Sequence, residues 1–181
     1  MKTARISVMV GVAALALSAS LASAQLNSTA QTIALNANLA ESLTVTLSAN
    51  AVNFSLSAGS ASNPGSVGVT ATTAWTLGSG RTSVALYAYF TSATAALTDG
   101  AGHNIPSSAF YIADNAGTPA ALTSSVLGNT GTQLSTVAIT NANRTGTHAD
   151  NLTFNIDLTS LPQLPAATYT GTLNIQAQAT T

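Results

Sequence analysis

From Gln31 onward, apolar side chains recur at every second position with Thr, Ser or Asn between them. That is the period of strands with one covered face and one wet face. The alternation predicts nine strands. The first two are 31–39, with Ile33, Leu35, Ala37 and Leu39 on one face, and 42–47, with Leu43, Val45 and Leu47. Next come 52–56 and then 66–77, where Val67, Val69, Ala71, Thr73, Trp75 and Leu77 share a face. In 82–91, Val84, Leu86, Ala88 and Phe90 oppose Tyr87 and Tyr89. The last four are 109–113, 134–140, 151–158 (Leu152, Phe154, Ile156, Leu158) and 168–179 (Tyr169, Leu173, Ile175, Ala177, Ala179). Helical periodicity is hard to find anywhere after Gln31.

Turn residues separate these runs: Asn63-Pro64-Gly65, Gly78-Ser79-Gly80, Asp99-Gly100-Ala101-Gly102, Asp114-Asn115-Ala116-Gly117 and Gly128-Asn129-Thr130-Gly131. Gly and Asn supply the backbone conformations that tight reversals need. Short strands at such intervals predict an all-β fold, an antiparallel β-sandwich, with a closed barrel as the alternative. The least regular region, 92–135, is predicted to hold long loops. No break in composition divides residues 25–181, so they are read as one domain.

The N-terminus follows another pattern. Lys2 and Arg5 precede an apolar stretch from Ile6 to Leu21 that ends in Ala22-Ser23-Ala24. A basic start, an apolar centre and small residues at the end are the three parts of a secretory signal peptide. Residues 1–24 are therefore expected to be removed, which gives a secreted protein with no membrane span after cleavage. The chain has no Cys, so disulfides do not brace the fold and packing with backbone pairing must suffice. The short basic region suggests a bacterial source.

Composition narrows the chemistry. Only 5% of the chain is charged, where about 25% is usual. After residue 24 two arginines, Arg81 and Arg144, stand against Glu41, Asp99, Asp114, Asp150 and Asp157. Without clustered Lys and Arg, nucleic acid is not expected as a partner. Scattered carboxylates and two His lead us to expect no enzyme, no cofactor and no metal site. Asp99 and His103 fall short of the ligand sets of calcium and zinc sites and are read as a turn. His148 and Asp150 suggest a hydrolase triad on paper, but no Gly-x-Ser-x-Gly elbow accompanies them.

Two other features suggest surface roles. Tyr87 and Tyr89, with Trp75 or Tyr111 nearby, would make an aromatic platform for a sugar ring; the alternative is a covered second sheet face or a subunit contact. Asn27, Asn53, Asn143 and Asn151 head Asn-x-Ser/Thr sequons, and Asn143 and Asn151, which flank an expected loop, are the candidate glycosylation sites.

The strands also lack the usual guards against edge-to-edge pairing. No Lys follows residue 24, and the prolines fall in expected loops. A polar start followed by Thr32-Ile33-Ala34-Leu35-Asn36-Ala37-Asn38-Leu39 suits a strand given to a neighbour, since strand addition gains main-chain hydrogen bonds and seats alternate side chains in a groove. Donation from head to tail does not close on itself and yields filaments. Pairing of this strand within its own domain is the alternative.

That N-terminal strand, the runs Leu43-Thr-Val-Thr-Leu47 and Val52-Asn-Phe-Ser-Leu56, and the closing Pro165-Ala-Ala-Thr-Tyr169-Thr-Gly-Thr-Leu-Asn-Ile175-Gln-Ala together resemble the spore coat U and chaperone-usher pilin group of secreted bacterial β-sandwich proteins. The similarity covers the two ends of the domain better than its middle. It implies an immunoglobulin-like sandwich with an incomplete sheet, completed by the N-terminal strand of the next subunit, with Ile33, Leu35, Ala37 and Leu39 as donor positions. The absence of Cys departs from the group, which commonly carries a disulfide, and puts dependence on a periplasmic chaperone in question. The expected organisation is a signal peptide at 1–24, a donor extension at 25–39 and a sandwich at 40–181. The expected function is that of a subunit of a cell-surface fibre, pilus-like and built of copies of itself, with a periplasmic chaperone and outer-membrane secretion machinery as further partners. A monomeric glycan-binding module is the second expectation.

Overall fold

The computed structural model describes residues 27–122 and 131–181. The candidate signal segment and most of the expected turn at 128–131 lie outside them. The chain divides into two units between Ala37 and Asn38. In the first, residues 27–37 form no strand.

The second unit is all-β. Its larger sheet runs in the order β1 (Ser42–Leu47), β3 (Val69–Thr76), β10 (Thr145–Ile156), β7 (Phe110–Asp114) and β8 (Ala120–Ala121), with β2 (Asn63–Pro64) also paired to β10. The smaller sheet is β11 (Asn174–Thr180), β4 (Ser83–Tyr89) and β9 (Thr132–Ala138). A hairpin of β5 (Leu97–Thr98) and β6 (Asn104–Ile105) and a 3-10 turn at Ser107–Ala109 lie on the path to β7. All strand pairs are antiparallel. Among the described residues no helix is long and apolar enough to cross a membrane.

Alternation explains why the sheets stack. In β3, Val69, Ala71, Thr73 and Trp75 are buried while the residues between them are half-exposed, and in β4 Leu86 and Ala88 point inward opposite Tyr87 and Tyr89. The inner faces of both sheets meet in one core, Val69, Ala71, Leu152, Phe154 and Ile156 from one side and Leu86 and Ala88 from the other. Phe110 lies at its centre, with ring centroids 5.2 Å from Phe90, 5.6 Å from Phe54 and 6.1 Å from Phe154. Two facing sheets with separate hydrogen-bond ladders make this a β-sandwich rather than a closed barrel.

Three expected strands are corrected. Residues 31–39 join no ladder, 52–56 reduce to a single bridge between Phe54 and Gly65, and 168–173 reduce to one between Thr98 and Thr170. Alternation marks which side chains suit a covered face, but a strand also needs an edge to pair with, and among the described residues these segments find at most a single bridge. Conversely β10 begins six residues before its expected start. Its inward positions there are Gly146, His148 and Asp150, which break the apolar period. The 92–135 region, expected to be loop apart from 109–113, also holds the β5–β6 hairpin and β8.

Candidate functional site

The sandwich is open along one side. β1 and β11 are edge strands of their sheets and run near one another. The chain on either side of them, 48–56 after β1 and 165–173 before β11, borders a groove of about 890 Å3. Val52, Phe54 and Leu56 face it from one rim, and Tyr169, Leu173 and Ile175 from the other. Its floor is the core itself: Val69, Phe90, Phe110, Leu152, Phe154, Ile156 and Leu158 all reach the groove.

Both rims keep the periodicity of strands. At 51–56 the residues alternate exposed and half-buried, with Val52, Phe54 and Leu56 turned inward. Their main chain is held where it meets neighbours, through Ser48 N–H to Thr70 O (2.9 Å), Ser66 N–H to Asn53 O (2.8 Å), Asn53 N–H to Ser66 Oγ (3.1 Å) and Ser57 N–H to Asn63 Oδ1 (2.7 Å). The second rim is tied by the reciprocal pair of Thr170 and Thr98, each N–H to the other's carbonyl at 2.9 Å. Gly171 permits that approach, because a Cβ there would stand 1.9 Å from the Ala96 carbonyl oxygen. Tyr169 closes its own turn by donating to Pro165 O at 2.9 Å.

Asn63, which sequence reasoning passed over as a turn residue, anchors the loop beside the first rim. It is 1% exposed; Nδ2 donates to Ser60 O (3.1 Å) and Ile156 O (2.8 Å), and its N–H reaches Asn155 Oδ1 (2.8 Å). Its position before Pro64 and Gly65 signals a turn but not burial.

The proposed donor positions are the most exposed large apolar side chains described: Ile33 at 84%, Leu35 at 90% and Leu39 at 83%. Ala37 is exposed with them. Four alternate side chains along an extended segment span about 20 Å at ~3.3 Å per residue, the reach of a rim of similar length.

The tyrosines lie elsewhere. Tyr87 and Tyr89 project from the outer face of the smaller sheet, Tyr87 level with Gln133 and Gln176 on its two neighbours. Tyr87 OH donates to Gln133 Oε1 at 3.3 Å and Tyr89 OH to Gln176 Oε1 at 2.9 Å. Trp75 does not join them: it is 4% exposed, inside the sandwich, with Nε1 donating to Asn143 O at 2.9 Å. Tyr111 lies on β7, in the other sheet.

Of the sequon residues, Asn143 is in the turn before β10, where Oδ1 accepts from Thr140 N–H at 2.7 Å and Nδ2 donates to Ala138 O at 2.9 Å. Asn151 is not beside a loop, as expected, but within β10, accepting from Thr70 Oγ1 at 2.9 Å and donating to Asn115 Oδ1 at 3.2 Å.

Asp99 and His103 form the turn between β5 and β6. Asp99 Oδ1 accepts from Ala101 and His103 N–H at 2.8 and 3.0 Å, and Oδ2 lies 2.6 Å from His103 Nδ1. Desolvation pushes this carboxyl up, but the His103 ring and the two N–H groups outweigh it and hold the pKa below the usual value. His148 and Asp150 sit on the inner face of β10, and Asp150 is fully buried. Among the described residues, no group of three or more His, Cys, Asp or Glu is placed to hold a metal ion. No family model, curated protein or solved structure matches this chain.

Proposed function

We propose that this protein is a structural subunit of an extracellular fibre, in which the segment Ile33–Leu39 of one copy enters the groove of the next. One observation carries the reading. Of the three segments with strand periodicity but no ladder, 52–56 and 168–173 rim the groove and 33–39 is exposed throughout. An apolar core that reaches solvent and an exposed segment of alternating apolar side chains on the same chain complement one another in chemistry and period. A groove and donor at different places on each copy make a contact that propagates instead of closing, hence a filament. Neither rim and none of the donor positions carries a charge, so the interface is apolar side chains plus main-chain hydrogen bonds. The resemblance of both chain ends to the spore coat U and pilin group implies the same mode, with secretion before assembly.

Negative-stain electron microscopy of the chain starting at Gln25, beside one starting at Ala40, tests this. Filaments from the first and dispersed folded particles from the second are expected. Filaments from both, or from neither, would overturn the reading.

The row Gln133–Tyr87–Gln176 favours a second reading, a glycan-binding face. Tyr rings held in place by amides offer a sugar an apolar face flanked by hydrogen-bonding groups. A specific hit on a glycan array, lost in Tyr87→Ala while the protein stays monomeric, would select it over the fibre.

A further inference from the structure

Past the end of the groove, the inner face of the larger sheet changes character. Along β10 the inward residues run Ile156, Phe154, Leu152 and then Asp150, which is 0% exposed. Thr73 on β3, 2% exposed, projects beside it directly across from His148, and Asp114 ends β7 across from Leu152. Among the described residues, the buried side-chain polar atoms with no hydrogen-bond partner are Thr73 Oγ1, Asp114 Oδ1, Thr132 Oγ1 and both carboxylate oxygens of Asp150. Every one is an oxygen. Thr132 opens β9, the strand of the smaller sheet that passes beside β7.

Buried acceptors without donors are costly, and buried carboxylates more so. The described residues have little to offer them. Arg81 is occupied by Glu41, with Nη2 3.0 Å from Oε2, and Arg144 by the carbonyls of Gly78 and Ser79 and by Asn141 Oδ1. His148 Nε2 comes within 3.1 Å of Asp150 Oδ1 as an ion-pair contact without making a hydrogen bond, and Oδ2 has no such neighbour. Burial and the neighbouring Asp150 carboxylate push the Asp114 pKa up, against a hydrogen bond from Asn115. A shared proton joins one oxygen of each carboxylate and leaves the remaining acceptors orphaned. A positive ion draws on all of them at once.

We propose that Asp114 and Asp150, with the hydroxyl of Thr73, bind a hard divalent cation, calcium in particular. Carboxylate and hydroxyl oxygens without thiolate suit calcium better than a transition metal, and its flexible shell of 6–8 oxygens accepts ligands from several strands with main-chain carbonyls and water completing it. The site would tie β3, β7 and β10 together, between the main core and the smaller apolar cluster of Trp75, Leu77, Val84 and Ile139. It is independent of what fills the groove.

Equilibrium dialysis of the metal-stripped protein against calcium chloride at about pH 7.5 tests this, with affinity expected in the ~10⁻⁴–10⁻³ M range of extracellular calcium modules. One calcium per chain is expected, and a hundredfold excess over Kd should raise Tm by about 5–10 °C. Asp114→Asn should abolish both effects, and Asp99→Asn, in the exposed turn, should keep them. No calcium bound by the unaltered chain would overturn the proposal whatever the variants do. So would calcium uptake that survives in Asp114→Asn, or a rise in Tm on acidification to about pH 5 with none on adding calcium, which would assign the carboxylates a shared proton instead.

Discussion

Leu35 is the donor side chain with most to gain from a groove. It is 90% exposed in the free chain, and fully burying a leucine stabilises by roughly 1.5–3 kcal/mol. Leu35→Ala, which leaves a methyl and an unfilled space in the acceptor, should therefore weaken each subunit contact by about 2 kcal/mol, a factor near 30 in Kd. Leu35→Asp should do far more. It loses the same burial and places a carboxylate against Phe90, Phe110 and Phe154, a floor with no basic side chain to meet it. Burying a lone charge adds several kcal/mol, so the contact should weaken by about a thousandfold or more. Sedimentation velocity across a concentration series measures both: a shift of the assembly threshold for Leu35→Ala, and monomer at every accessible concentration for Leu35→Asp. Leu35 acts before assembly on no folded contact, so both variants should unfold as the wild-type monomer does. Wild-type assembly by Leu35→Asp would refute the reasoning, because no apolar groove accepts that side chain without loss.

Three further outcomes follow from the fold. Asn63→Ala removes three side-chain hydrogen bonds, from Ser57 N–H and to the Ser60 and Ile156 carbonyls, of which Ser60 O keeps the Leu158 N–H, so it should cost about 3 kcal/mol in urea unfolding and loosen the first rim. Gly171→Ala sets a methyl against the Ala96 carbonyl, and the loss of the Thr98–Thr170 bridge should appear as faster amide exchange at both residues. Asp157 accepts from Thr159 N–H and Oγ1 at 2.9 and 2.7 Å, which holds its pKa below the usual carboxylate value. A depressed folded pKa gives stability that is present above the unfolded value near 3.9 and is lost as pH falls through the folded one. The advantage of wild type over Asp157→Asn should thus be constant above about pH 5 and close as pH drops below about 4; an advantage that grew on acidification would contradict this.

Much of the sandwich is legible in the residues, for a physical reason. Where a strand is covered on one face by its own chain, as in β3 with Val69, Ala71, Thr73 and Trp75, burial and period coincide, and 42–47 matches β1 at both ends. Legibility fails where the two separate. Gly146, His148 and Asp150 face inward in β10 without being apolar, so that half of the longest strand does not register in hydropathy. The segment 31–39 has the period without the partner. The groove is of the same kind: Val52, Phe54, Tyr169 and Leu173 lie more than a hundred residues apart at their extremes, and nothing local says that they border one opening. Nor does the sequence bring Asp114 to Asp150, which depends on the antiparallel register of β7 with β10.

Donation between copies makes a demand that neither self-pairing nor glycan binding shares. Leu35→Asp should keep its groove while losing its donor, and Leu173→Arg, on the second rim, should keep its donor while losing its groove. The most direct measurement is to mix these two variants and weigh the products by native mass spectrometry. Each alone should be monomeric, and the mixture should give one-to-one dimers that grow no further. Two variants that remain monomeric when mixed would contradict strand donation through this groove, as would either one polymerising on its own.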